Sequence, residues 1–161
     1  MQPNDDKVIE VEPIGWVRAP RTQARDDLWG SVMSTIEIDS RRFTPESLAG
    51  LTEFSHLEVL YQFHAVPVER IEWTARRPRN RGDWPLVGIF AQRGKARPNR
   101  LGLSRCNLVR VEGLIVTVRR LDAIDATPVL DIKPYMAEFG PIGPVLQPPW
   151  ARELMRSYYD D

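Results

Sequence analysis

Arg93, Arg97 and Arg100 stand four and three residues apart, with Pro98 and Asn99 between the last two. Guanidinium forks match the oxygens of carboxylates and phosphates. Pro98 fixes the backbone beside them, and Asn99 can take a turn conformation. On a regular strand Arg93 and Arg97 would share a face. With Asn99 the three read as an anion-binding set, although a surface ion pair is the plainer use of any one arginine. A second cluster follows, in which Asp122, Asp125 and Asp131 lie close to Lys133 and Tyr135. Grouped carboxylates can hold Mg²⁺ or bond their own backbone in turns, the commoner use for Asp125 before Ala126-Thr127-Pro128. Asp131 and Lys133 share a strand face, which favours a paired, partly buried site over a metal.

The remaining chemistry-bearing residues are few. His64 closes an apolar run where a strand meets its loop, so it reads either as a ligand contact or as a satisfied structural residue. His56 reads as structural. Cys106 reads as a small buried apolar group with no activating neighbour. Trp29, Trp73 and Trp84 could stack on an aromatic base, but core or rim positions are the usual use of Trp. One Cys and two His argue against a zinc site of the usual nitrogen and sulfur kind, so no metal is expected.

Charge is unevenly spread over a chain whose formal net charge is zero. Residues 76–105 carry nine Lys or Arg against Asp83 alone, a local charge of +8. Arg76, Arg77, Arg79 and Arg81 begin it, in a loop with Pro78, Gly82 and Pro85 that reads as mobile without a ligand. The segment is either a solvated basic loop or a phosphate-binding face, since the local field matters more than the total.

Most elements that must position these groups read as β. Residues 8–17 open as a strand, and residues 32–38 alternate at period two. Thr44-Pro45 starts a short helix that Gly50 ends. Residues 57–63 and 86–90 read as strands, and residues 107–111 and 114–121 as a hairpin turning at Glu112-Gly113. Pro148-Pro149 sets the entry of a helix over residues 150–159, whose Leu, Met and Tyr side chains dock on the body. The pattern predicts a single, mainly β domain: a small antiparallel barrel with a short internal helix and a C-terminal helix. The barrel covers about 7–137 and the appendage about 138–161. No Gly-rich fingerprint follows a strand, which argues against a Rossmann dinucleotide or methyltransferase domain. No apolar run approaches the roughly 18 residues that span a bilayer. The polar residues 1–7 are no signal peptide, and a single cysteine fits a cytoplasmic protein.

Three motifs in order carry a family resemblance: Gly88-Ile89-Phe90-Ala91-Gln92-Arg93, Arg97-Pro98-Asn99, and the run from Thr127-Pro128-Val129 through Leu130-Asp131-Ile132-Lys133 to Pro134-Tyr135. With Ile14-Gly15, the Gly50-to-His56 run and Phe63-His64, they extend it over nearly the whole chain. The sequence resembles the TsaA-like proteins, whose best-known members, the TrmO methyltransferases, use S-adenosylmethionine to methylate threonylcarbamoyladenosine beside the anticodon of tRNA. The resemblance implies a non-Rossmann barrel and a homodimer with cofactor pockets near the subunit interface. It implies cofactor contacts at His64, Ala65, Arg93, Leu103, Arg120, Leu121 and Asp122. Arg97, Asn99, Asp131, Lys133 and Tyr135 match residues expected to line the same cleft, and Arg76, Arg77, Arg79 and Arg81 would contact tRNA.

Under that reading His64, Asp131 and Tyr135 are the candidates to take a proton from the acceptor nitrogen. Arg93, Arg97 and Lys133 would hold carboxylate or phosphate groups. Three features depart from the family pattern. Residues 21–29 replace a Pro-Arg-Gln element, Ala126 replaces the usual glycine of Asp-Gly-Thr-Pro, and the sequence stops soon after the barrel. A non-catalytic cofactor-binding or RNA-binding module, or a methyltransferase for a small molecule, are the alternatives.

Overall fold

The computed structural model describes residues 8–161, so the expectation for residues 1–7 lies outside the described residues. Eight strands follow along the chain: β1 (Gly15–Arg18), β2 (Met33–Ile38), β3 (His56–Gln62), β4 (Ala75–Arg76), β5 (Val87–Gly88), β6 (Leu101–Glu112), β7 (Ile115–Arg119) and β8 (Pro128–Pro134). Six close into an antiparallel barrel in the order β1-β2-β7-β6-β3-β8, with β8 returning to β1. The other two, β4 and β5, form a separate ribbon. The expected mainly β barrel is the observed one, and closure leaves it no free sheet edge.

Period-two alternation explains the interior. Leu57, Val59 and Tyr61 of β3 point inward, as do Ile36 and Ile38 of β2 and Val116 and Val118 of β7. Each fully buried aliphatic side chain contributes about 1.5–3 kcal/mol. On β6 the inward residues are instead small: Gly102, Ser104 and Cys106. Gly102 pairs with Tyr61 across the ladder, and a Cβ there would lie 2.4 Å from the Tyr61 ring. The small residues of β6 thus make room for one large phenol inside the barrel.

Several sequence expectations are corrected. The opening strand is only Gly15–Arg18. The strand expected over residues 86–90 stops at Gly88 and becomes a 3-10 turn, Ile89–Ala91. The helix expected at Thr44 is also a 3-10 turn, Pro45–Leu48. Thr44 is extended but its hydroxyl caps nothing. The last helix, α1 (Pro149–Leu154), is shorter than expected, though Pro148 and Pro149 do set its entry. Conversely, β6 begins at Leu101 rather than residue 107, because its small inward residues hide the apolar alternation. The β6–β7 hairpin turns at Gly113, with φ 59, as expected.

Gly102→Ala is therefore expected to cost about 1–3 kcal/mol through overpacking against Tyr61, read as a lower denaturant midpoint. An unchanged midpoint would mean that the Tyr61 ring is free to move aside.

Candidate active site

After β7 the chain turns sharply. Arg120 takes a left-handed φ of 71 and its amide donates to the Val32 carbonyl at 3.0 Å. Leu121 then drops its side chain into the core, fully buried. Only the main chain of Leu121 can face a ligand, which narrows its expected role. Asp122, next in line, meets the Tyr61 phenol. The Tyr61 hydroxyl lies 3.1 Å from Asp122 Oδ1, 3.1 Å from the Asp122 carbonyl and 3.4 Å from Ser104 Oγ. The Tyr158 hydroxyl donates to the other oxygen, Oδ2. Burial pushes the Asp122 carboxyl above its usual range, while the two phenols and the charge of Arg93 pull it down. The phenols of Tyr61 and Tyr158 are driven upward, by burial first and then by the Asp122 charge, so both remain donors. The buried Cys106 thiol is pushed up to about 12 by burial and by Asp122, which fits its reading as an inert apolar group.

The three arginines of the central motif are not on a strand, so the shared face expected for Arg93 and Arg97 does not arise. The segment is a loop pinned by Gln92, whose side-chain amide donates to the carbonyls of Arg76 (2.8 Å) and Val87 (2.9 Å). Arg93 donates to the Leu103 carbonyl at 2.6 Å, Arg97 to Gln92 O at 2.9 Å and Arg100 to Val66 O at 2.9 Å. Asn99 has φ 62, the expected turn conformation. A carbonyl orients a guanidinium without cancelling its charge. Among the described residues, no carboxylate forms a salt bridge with any of the three. Carbonyls orient all three, and Arg93 also acts through its charge on Asp122 without a direct ion pair.

Asp131, Lys133 and Tyr135 occupy a different patch, the outer face of β8 and its exit. Lys133 Nζ lies 2.7 Å from Asp131 Oδ2, the pairing that their spacing predicted, though Lys133 is exposed and the pair is not the partly buried one expected. Asp131 stands beside Leu60 of β3, and Leu60 beside Leu103 of β6, whose side chain is 47% exposed. Arg105, bonded to Glu58 at 2.7 Å, covers the Tyr135 ring at 3.6 Å. The structure thus brings Arg93, Leu103 and Asp122 together at the barrel mouth, and ranges Asp131, Lys133 and Tyr135 along the adjoining outer face. His64 and the exposed Ala65 follow the end of β3, where Phe63 N donates to Arg100 O at 2.7 Å. The His64 Nδ1 is buried without a hydrogen-bond partner. His56, as expected, is structural, held between Ser55 Oγ and Asn107 Nδ2.

The Arg-rich loop makes several contacts of its own. Arg79 makes a bidentate pair with Asp27, at 2.8 and 2.7 Å, that ties residues 76–85 to residues 21–29. Arg81 pairs with Asp83 and stacks on Trp84 at 4.3 Å. Arg77 donates to the Trp84 carbonyl, and Arg76 Nε is buried without a partner. Asp27, 52 positions away in sequence, is the partner of Arg79, a pairing that local charge counting could not find. The three aspartates likewise diverge. Asp122 sits between phenols, Asp125 accepts the Ala19 amide at 3.1 Å, and Asp131 pairs with Lys133. Tyr61, Ser104 and Tyr158 were missed as site residues because their inward aim depends on the barrel's closure and on where residues 155–160 return.

Known proteins carry the same architecture. A family model described as the tRNA-methyltransferase O N-terminal domain matches residues 18–140. The chain is 43% identical over 136 residues to a Mus musculus tRNA (adenine(37)-N6)-methyltransferase, covering 80% of this chain and 31% of that protein. It is 35% identical over 135 residues to a probable S-adenosyl-L-methionine-binding protein of Pyrococcus abyssi, covering 82% and 71%. A crystal structure of TrmO from Pseudomonas aeruginosa superposes with a TM-score of 0.69 at 27% identity, covering 87% of this chain and 62% of that one. The chain therefore spans about a third of the length of the mouse relative it matches.

The upward displacement of the Asp122 carboxyl has a sign that can be tested. Its folded form holds a proton more tightly than an unfolded chain, where the carboxyl keeps its ordinary value of 3.8. That contribution is complete below pH 3.8 and is lost as pH rises through the folded value. Wild-type stability should thus fall relative to Asp122→Asn as pH rises above 3.8, in paired denaturant titrations across that range. A constant gap between the two proteins would contradict it.

Proposed function

Since the chain belongs to the tRNA-methyltransferase O N-terminal domain family, we propose that it binds S-adenosylmethionine at the barrel mouth and methylates N6 of adenosine 37 in tRNA. The acceptor is threonylcarbamoyladenosine, beside the anticodon. The observation that carries the reading is the fixed Arg93 cation on the Leu103 carbonyl, next to the buried Asp122. Arg93 and Arg120 suit a carboxylate, Asp122 suits ribose hydroxyls or an amino group, and the orphaned His64 nitrogen is one unsatisfied polar atom that a ligand would complete. The donor set fits the cofactor.

The bound cofactor supplies an activated methyl group on a sulfonium. The residues of this chain have the task of orientation: Arg93, Arg97 and Lys133 hold anionic groups, and the apolar face at Leu60 and Leu103 excludes water. The acceptor nitrogen is amide-like and a poor nucleophile, so proton removal assists attack. Of the three candidates, Asp131 is paired with Lys133 and Tyr135 lies under Arg105, which leaves His64 as the least engaged. Arg77 and Arg97 are better placed than Arg79 to meet tRNA phosphate, because Arg79 is committed to Asp27. We place the protein in the cytoplasm as a homodimer. The homodimer is supported by the exposed apolar residues Phe139, Ile142 and Leu146, which a second copy would cover.

The Pyrococcus abyssi relative's description names S-adenosyl-L-methionine binding and no reaction, which leaves a second reading, cofactor binding without transfer. Incubation with methyl-labelled S-adenosylmethionine and tRNA bearing threonylcarbamoyladenosine separates the two. Labelled tRNA is expected, and Arg93→Ala should weaken cofactor binding roughly tenfold or more, the scale of a lost charged hydrogen bond. Saturable cofactor binding with unlabelled tRNA would contradict methyl transfer.

A further inference from the structure

The barrel closes through β1, β2, β7, β6, β3 and β8 without any residue beyond 134. Residues 157–160 are nevertheless seated on it by a built surface. The amides of Leu28, Trp29 and Gly30 donate to the carbonyls of Ser157, Tyr158 and Asp160 at 3.0, 2.9 and 3.2 Å. A Cβ on Gly30 would lie 2.1 Å from the Tyr159 carbonyl, so glycine is what allows this approach. Trp29 is buried, Arg21 covers its ring at 4.3 Å, and Glu153 accepts Trp84 Nε1 at 2.9 Å. The seat delivers two aromatic side chains. The Tyr158 hydroxyl reaches Asp122, and the Tyr159 ring lies against Arg120, at 4.3 Å. Arg120 is left-handed, a conformation that persists only where surrounding structure holds it.

The geometry points to residues 157–160 as a strap that completes the cofactor site, with Tyr158 as the positioning residue that aims the Asp122 carboxylate at a donor group of the bound nucleoside. This rests on the reading of the barrel mouth as the cofactor site. The Tyr61 hydroxyl shares its one proton between Oδ1 and the Asp122 carbonyl, so the Tyr158 donation to Oδ2 is what fixes the plane of the carboxylate. Each oxygen still has a lone pair for a ribose hydroxyl or an amino group. With Tyr61 alone, the carboxylate could turn about its Cβ–Cγ bond and lose that aim.

The groups facing Asp122 are Tyr61 from β3, Cys106 from β6, Arg93 from the central loop, and Tyr158 and Tyr159 from the strap, with Ser104 on the Tyr61 hydroxyl and Arg120 on the Tyr159 ring behind them. The thiol and the three phenols are all displaced upward, and arginine keeps its charge. Asp122 is the carboxyl among them, and its titration is displaced upward by burial.

Calorimetric titration with S-adenosylhomocysteine, on wild type, Arg93→Ala and Tyr158→Phe over a pH series, tests the inference. Tyr158→Phe is expected to weaken binding roughly tenfold. It should also move the onset of binding to higher pH, because Asp122 loses a donor to its ionised form. Hydrogen exchange at the amides of residues 28–30 should slow when the ligand binds. If wild type fails to bind, the reading of the site falls and the strap with it. If wild type binds and Arg93→Ala weakens binding, but Tyr158→Phe keeps both affinity and pH profile, the strap alone is overturned. Faster exchange at residues 28–30 on binding would also overturn it, since the strap would then be displaced rather than enclosing.

Discussion

Asp122 is buried between two phenols, and a carboxylate so placed is costly unless its oxygens find donors. That requirement reaches far into the structure. Tyr61 must cross the barrel interior to supply one donor, which demands Gly102 opposite its ring and small residues along β6. Tyr158 must arrive from more than thirty residues away, which demands a seat at residues 28–30 and a glycine at position 30. The seat is in turn tied to the basic loop through Asp27 and Arg79. Removing one donor would leave a buried acceptor short of a partner, a loss of about 1–3 kcal/mol, large beside the 5–15 kcal/mol that holds a domain folded.

The arginines divide by the kind of partner that holds them. Arg79 and Arg81 face carboxylates, so their charge is largely spent inside the protein. Arg93, Arg97 and Arg100 face carbonyls and keep theirs. The same residue type therefore serves as a clamp in one loop and as a fixed cationic wall in the next. A pre-oriented cation loses less side-chain entropy on binding an anion than a free one, and the central loop is where the chain has made that arrangement.

Much of this was legible in the sequence. Alternation in residues 32–38 and 57–63 specified inward faces, and Glu112-Gly113 marked the hairpin. The Asp131–Lys133 pair followed from spacing, and Asn99 from its turn chemistry. What escaped was non-local. The start of β6 was hidden because its inward residues are glycine, serine and cysteine rather than large apolar groups. Strands at residues 8–17 and 86–90 were overcalled because apolar content alone does not say where a neighbour is present to pair. Ala126 does occupy the left-handed region, φ 61, where glycine would be unstrained, with its amide held by Val17 O.

A crystal structure of the protein with S-adenosylhomocysteine would test the account most directly. The account predicts ligand density at the barrel mouth, with the carboxylate end near Arg93 and a polar group within hydrogen-bond distance of Asp122, and Tyr158 still on the Asp122 carboxylate. Ligand density instead in the apolar groove between Ile14, Phe43 and Pro134, with the barrel mouth holding only water, would contradict it.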